Sequence, residues 1–222
     1  MPGCAAHLAL AAAFVGVDYV LASRLVGAGY GVRGAAGLVL WALGFGLAPP
    51  RTEDFLPGWG KPRRSLRWAA AFLPVLAGSA LLLGACGILI ARSLGWSLSY
   101  SPLAIASPGE AGAYVLPGLV AAPLVEEFIY RGIVYPRLRA GGGVAFALAL
   151  SGPIFWVLHW VDRGTVSPVN HLLAGWILAW AFERTRSLLA PTLLHAVGNL
   201  LLLSLDLTWF RYPEPFRAVL GP

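Results

Sequence analysis

Residues 68–91 run for 24 positions without a charged side chain, from Trp68 to the stop at Arg92. A helix needs about 20 mostly apolar residues to cross a hydrocarbon core roughly 30 Å thick. Backbone N–H and C=O groups in lipid have no water to bond, so such a run folds as a helix or joins a closed barrel. Barrels require alternating strands, and this sequence lacks that alternation. The run therefore commits the chain to an all-α transmembrane architecture. The composition agrees. Charged residues make up 12% of the 222, where a soluble domain carries about 25%. Hydrophobic residues make up 58%, and the mean hydropathy is +0.73. A soluble globule could not hide so much apolar surface, and a disordered chain shows the opposite bias.

Two more runs are nearly as clear. Residues 187–205 are uncharged, with His195 and Asn199 as the main polar interruptions, and residues 144–161 hold His159. Residues 4–22 are apolar but carry His7 and Asp18; their start lacks the Lys/Arg of a signal peptide and reads as a retained first span. Residues 34–48 and 170–182 are short and need tilt or flanking residues. Residues 111–135 span only if Glu126, Glu127 and Arg131 lie inside the helix. The expectation is a polytopic bundle of about seven spans (six to eight), one integral membrane domain over 1–222.

The formal charge of +6 and pI near 9.8 rest on one lysine and 15 arginines in short clusters between apolar runs. That pattern is loop charge that sets orientation, not a nucleic-acid face. With the loop 51–67 in the cytoplasm, Arg131, Arg137, Arg139, Arg184 and Arg186 fall on the same side, ten Lys/Arg against six. Cys4 and Cys86 have no metal or redox spacing and read as small packing residues.

Polar groups within such helices are expensive. A carboxylate near the bilayer centre costs about 2.5–3.5 kcal/mol on insertion scales, so it calls for a functional reading. On a helix Glu127 and Arg131 face each other four apart, the favourable order for an ion pair. Glu126 is rotated about 100° away and is left without that partner, free for chemistry. The competing reading ends the helix before Glu126 and leaves both glutamates solvated. His159, and His195 with Asn199 on one face, lie on two other apolar runs. A lone buried histidine is more often a hydrogen-bonded core residue. Here the polar groups of three helices satisfy one another most cheaply by meeting inside the bundle. A glutamate and a histidine can deprotonate a water and later protonate a leaving amine. A histidine with an asparagine can donate to a developing oxyanion. Ser151 and Ser167 read as turn residues, so water is the better nucleophile.

These residues carry a resemblance. Glu126-Glu127-Phe-Ile-Tyr-Arg131 matches EExxxR, Phe155-xxx-His159 matches FxxxH, and His195-xxx-Asn199 matches HxxxN. In order on hydrophobic helices, the three motifs resemble those of the CPBP family (also called Abi) of CAAX prenyl endopeptidases and bacteriocin-processing proteins. The likeness covers about residues 115–203, the expected catalytic core. It implies an intramembrane glutamic endopeptidase in which Glu126 and His159 activate water and His195 and Asn199 form the oxyanion site. It also implies that Glu127 and Arg131 hold the geometry, with Phe155 in support. No cofactor is expected; a His₂Glu zinc site of Glu126, His159 and His195 is the minority alternative.

One tension remains in this scheme. If Tyr135 and Val144 flank a loop, Glu126 lies about nine residues in and His159 fifteen, a depth difference of about 8 Å at 1.5 Å per residue. A kink at Ser151-Gly152-Pro153 is the expected remedy. His171 reads as a helix-end or interfacial residue, and Asp18 as a partner of Arg24, of another helix or of a cavity. Trp156, Trp160, Trp176 and Trp180 fit interfacial belts or packing. The expected partners are the bilayer and a membrane-anchored protein or peptide, and the expected location is a bacterial plasma membrane. Candidate substrates are a C-terminal sorting signal, a bacteriocin-type leader and a CAAX-type tail. The rival functions are a non-proteolytic immunity or scaffold protein and a proton-coupled transporter.

Overall fold

Intrasegment hydrogen bonding is the cheapest way to satisfy backbone in lipid, and nearly all of the described residues use it. The computed structural model describes residues 4–24, 29–47, 62–94, 105, 107–163 and 170–212, and among them no strand occurs. The helices are α1 (Cys4–Arg24), α2 (Gly29–Leu47) and α3 (Pro62–Ser93), followed by a composite rod. The rod consists of α4 (Pro108–Leu116), π1 (Pro117–Ala121), α5 (Ala122–Glu127) and π2 (Phe128–Val134). It leads into α6 (Tyr135–Arg163), followed by α7 (Asn170–Thr185) and α8 (Leu189–Arg211). Among the described residues, three stretches are long and apolar enough to cross a membrane: Cys4–Leu21, Pro108–His159 and Leu189–Thr208. Leu81, Leu82 and Leu89 on α3 are each about two-thirds exposed or more, the lipid-facing side of an integral membrane protein.

The composite rod has a local explanation. Ser107 caps α4 by accepting from the Glu110 N–H at 3.2 Å, with Pro108 in the first turn. Pro117 and Pro123 then each remove a backbone donor, and a proline ring also crowds the carbonyl four residues back. For Pro123 that carbonyl belongs to Leu119, inside the wide turn π1. The helix thus continues past Glu126 and Glu127 instead of ending before them.

The rod packs centrally. α1 lies on α6 and α2, α3 lies on α7 and α8, and α8 covers π1 and α5. Phe14, Ile129, Ile133, Phe155 and Leu178 form part of one continuous core. Two sequence expectations fail here for a clear reason. Cys4 and Cys86 are exposed, so they face outward instead of packing. Arg137, assigned to loop charge, is 1% exposed and lies 3.3 Å from His7 Nδ1. Arg63, Arg64 and Arg67 begin α3, while residues 51–61 lie outside the described residues, as do Ser167 and the side chains of Trp160 and Arg24.

The depth mismatch disappears for a different reason than a proline kink. The break within α6 is at Gly143, with φ 82° and ψ 177°, a conformation open essentially to glycine alone. Gly143 lies seventeen positions after Glu126 and sixteen before His159, so the two side chains return to the same level. The backbone stays helical through Ser151, Gly152 and Pro153, and the Ser151 hydroxyl bonds back to the Ala147 carbonyl at 2.7 Å. That serine is a helix-interior residue, not a turn residue.

Gly152 has another use. A Cβ on Gly175 would stand 2.8 Å from the Gly152 Cα and 2.8 Å from the Ser151 carbonyl oxygen, so α6 and α7 touch backbone to backbone. Neither backbone can step aside without moving its helix. Gly175→Ala is therefore expected to cost about 1–3 kcal/mol as an overpacking change, read as a lowered thermal midpoint in detergent.

Candidate active site

α5 delivers two buried carboxylates with different neighbours. Glu127, 0% exposed, accepts from Arg131 Nη1 at 3.0 Å and from His195 Nδ1 at 2.8 Å, both on Oε1. Arg131 is as buried as its partner, and its Nη2 donates to the Gly175 carbonyl at 3.0 Å. Its guanidinium lies 4.8 Å from the centre of the Phe155 ring, within cation–π range. One ion pair therefore joins the rod, α6, α7 and α8.

Glu126, 5% exposed, faces the other way. Its Oε2 lies 3.7 Å from His159 Nε2 and 3.9 Å from His195 Nε2, beyond a direct hydrogen bond to either. The opposite ring nitrogens are tied. His159 Nδ1 lies 2.8 Å from the Phe155 carbonyl, which can only accept, so Nδ1 carries the hydrogen. The same argument applies to His195 Nδ1 against the Glu127 carboxylate. In their neutral forms both imidazoles turn an Nε2 lone pair toward Glu126. Phe155 keeps the rings in place, its centroid 4.3 Å from that of His159, 5.6 Å from His195 and 5.9 Å from Tyr130.

Asn199 sits on the rod instead of on the Glu–His group. Its Nδ2 donates to the Gly118 carbonyl at 2.8 Å, and π1 explains why that carbonyl is available. The Ala122 N–H, its partner in a regular α-helix, bonds Pro117 instead. The next candidate donor, residue 123, is a proline without an N–H. The side-chain amide takes the acceptor that the wide turn releases. An amide nitrogen carries two hydrogens, so this contact accounts for one.

Three further residues and a histidine complete the picture: Asp18, for which another helix is one of the partners the sequence offers, Arg33 and Tyr130, to which the sequence gives no role, and His171. Glu126 does have a cationic neighbour: Arg33 Nη1 on α2 is 3.5 Å from its Oε1. Arg33 also pairs with Asp18 of α1, Nε to Oδ1 at 2.8 Å and Nη2 to Oδ2 at 2.9 Å. The Tyr130 hydroxyl donates to Asp18 as well. Opposite charges at Asp18 and Arg33, one on each of two successive apolar helices, were the available signal. His171, expected at a helix end, is 8% exposed and its ring stacks on His159 with centroids 4.4 Å apart. It stands four residues before Gly175, hence on the face that meets α6. Among the described residues, no group of three or more His, Cys, Asp or Glu is arranged to hold a metal ion.

Residues 108–201 match the family model described as type II CAAX prenyl endopeptidase Rce1-like. Over that segment the match agrees with the CPBP resemblance carried by the three motifs. No curated protein and no solved structure matches the chain. The family match and the apolar helices make the chain an integral membrane protein and point to a CAAX-type peptidase.

The two glutamates should respond differently to substitution. Glu127→Ala strands a 1%-exposed arginine, and removing one partner of a buried pair costs about 3–5 kcal/mol. A sharp fall in folded protein recovered from membranes is the expected outcome. Glu126→Gln leaves Arg33 paired with Asp18 and should be recovered at the wild-type level, by size-exclusion chromatography in detergent.

Proposed function

We propose that the protein is an intramembrane glutamic endopeptidase that hydrolyses a peptide bond near the terminus of a membrane-associated substrate. The observation that carries this reading is the convergence of Glu126 Oε2 with the Nε2 atoms of His159 and His195. Separations of 3.7 and 3.9 Å suit a water held between them. Glu126 and His159 take a proton from that water as its oxygen attacks the scissile carbonyl carbon. The tetrahedral intermediate places negative charge on the former carbonyl oxygen, with His195 and Asn199 as the donors of the oxyanion site, a role that requires a hydrogen on His195 Nε2. The captured proton then goes to the leaving nitrogen as the C–N bond breaks, giving a carboxylic acid and an amine, which exchange a proton to become carboxylate and ammonium.

The charges around the site support this division of labour. Asp18, Glu126 and Glu127 are three acids, and Arg33 and Arg131 are two permanent bases. With all five ionised the cluster carries one excess negative charge, and a medium of low dielectric favours neutrality. One further proton balances the cluster, and on His195 Nε2 it is the hydrogen that the oxyanion site requires; the leaving nitrogen takes the proton captured from the water. Glu127 and Arg131 serve geometry, and Phe155 fixes the rings.

In this reading residues 115–203 are the catalytic core of one integral membrane domain over 1–222, with about seven helices crossing a bacterial plasma membrane. The substrate is a membrane-anchored protein or peptide: a C-terminal sorting signal, a bacteriocin-type leader or a CAAX-type tail. Hydrolysis uses water and no metal. Glu126→Gln and His159→Ala are each expected to lower cleavage by at least about 10²-fold with normal membrane levels. Mass spectrometry of membrane-protein termini in cells is the readout. Unchanged termini in both variants would exclude proteolysis through this site and favour a scaffold or transport role. Cleavage is also expected to persist after dialysis against a chelator, whereas loss restored by zinc would reinstate the His₂Glu alternative.

A further inference from the structure

The matched segment begins at residue 108, yet one of the groups facing Glu126 lies well before it, on α2. Arg33 is 8% exposed and Asp18 is 3% exposed, so their pairing is internal to the protein. The geometry of the pair is unequal. Nε and Nη2 of Arg33 are both committed to Asp18, which leaves Nη1 directed at Glu126 Oε1. Asp18 in turn takes the Tyr130 hydroxyl, from the rod that also carries Glu126. Close packing holds α2 in this position. A Cβ on Gly34 would lie 3.5 Å from Val125 Cγ2, and one on Gly37 would lie 3.2 Å from Ile129 Cγ1. These glycines lie one and four residues after Arg33, and α2 meets the rod through them.

Resting on the peptidase reading above, we infer that Arg33, anchored by Asp18 and Tyr130, is a positioning residue for Glu126. It holds Oε1 and thereby presents Oε2 to the two histidines. Each element packed around Glu126 contributes to the field that it experiences. α1 brings Asp18 and α2 brings Arg33, while the rod brings Glu127, Tyr130 and Arg131. α6 and α8 bring His159 and His195. Of the two cations, Arg131 is committed to Glu127 and Gly175. Arg33 is therefore the cation that tells the two oxygens of Glu126 apart. A carboxylate without it can rotate, since either oxygen then serves the histidines equally. The α1–α2 pair is thus part of the working site, although it lies outside the matched segment.

The test separates positioning from simple bracing. Arg33→Gln in the full-length protein in membranes is expected to lower kcat roughly 10–100-fold, the usual effect of losing an orienting partner, with KM changed by less than about twofold. Arg33→Lys should recover part of that loss. Asp18→Asn/Arg33→Gln removes both charges and leaves neither stranded, so it should fold normally. It should still lack kcat, because Glu126 still has no cation. Normal kcat in this double variant would overturn the inference, since a mere brace between α1 and α2 would be replaced by it. The cleavage probe is a fluorogenic peptide with a farnesylated CAAX-type C-terminus. A second measurement does not depend on cleavage. The infrared difference between the protein and its Glu126→Gln variant isolates the carboxyl bands of Glu126. The same difference in the Arg33→Gln background should show those bands shifted; identical bands in the two backgrounds would overturn the inference even if the peptide is not cut. Glu126→Gln retaining full activity would instead remove the catalytic assignment of Glu126, and the infrared comparison would still decide what Arg33 does to it.

Discussion

The ion pair between Glu127 and Arg131 is the constraint on which the interior depends. Two charges removed from water gain little by attraction alone, and such a pair persists when further hydrogen bonds satisfy its remaining atoms. Here His195 and the Gly175 carbonyl supply those bonds, and the Phe155 ring covers the guanidinium. Each of these partners comes from a different helix, and most of what those helices share with their neighbours is apolar contact. Lipid tails are as apolar as leucine, so such contact gives helices little reason to choose one register over another. The buried pair supplies the choice. It fixes α7 by one carbonyl and α8 by one imidazole, and it leaves Glu126 on the next residue for a different task.

The irregular helix around that pair follows the same logic. Prolines at 117 and 123 weaken the backbone ladder, and π1 is the result. The turn releases the Gly118 carbonyl, which Asn199 takes up, so a local defect in one helix becomes a specific bond to another. A regular helix would have spent that acceptor on its own backbone.

Much of this could be read from the chain. Glu126, Glu127, Arg131, Phe155, His159 and His195 meet in the structure because polar side chains on apolar helices had few other partners. The reading was weaker where a charge was taken for topology. Hydropathy leaves Arg33 outside its span and puts Arg137 in a loop, since basic residues near helix ends commonly set orientation. Both are buried. Hydropathy counts a charge without showing whether a neighbouring helix answers it, and only the packing of α1, α2 and α6 reveals the answer. His171 does stand at a helix end, as the second residue of α7, and it is also buried against His159. A helix end and a site can coincide when the helix starts beside the chemistry. A loop between Tyr135 and Val144 is legible in the sequence, but which of the three consecutive glycines breaks the helix is not, and the structure puts the break at Gly143 alone.

That turn also has a bearing on which changes the protein can absorb. Glu126 and His159 are level because the numbers of residues on the two sides of Gly143 nearly match. Inserting one residue on either side would turn one of these side chains by about 100° and move it about 1.5 Å along its axis. A substitution in the stretch changes one contact, whereas an insertion or deletion misaligns every group beyond it. The stretch from Glu126 to His159 should therefore accept variation in sequence far more readily than variation in length.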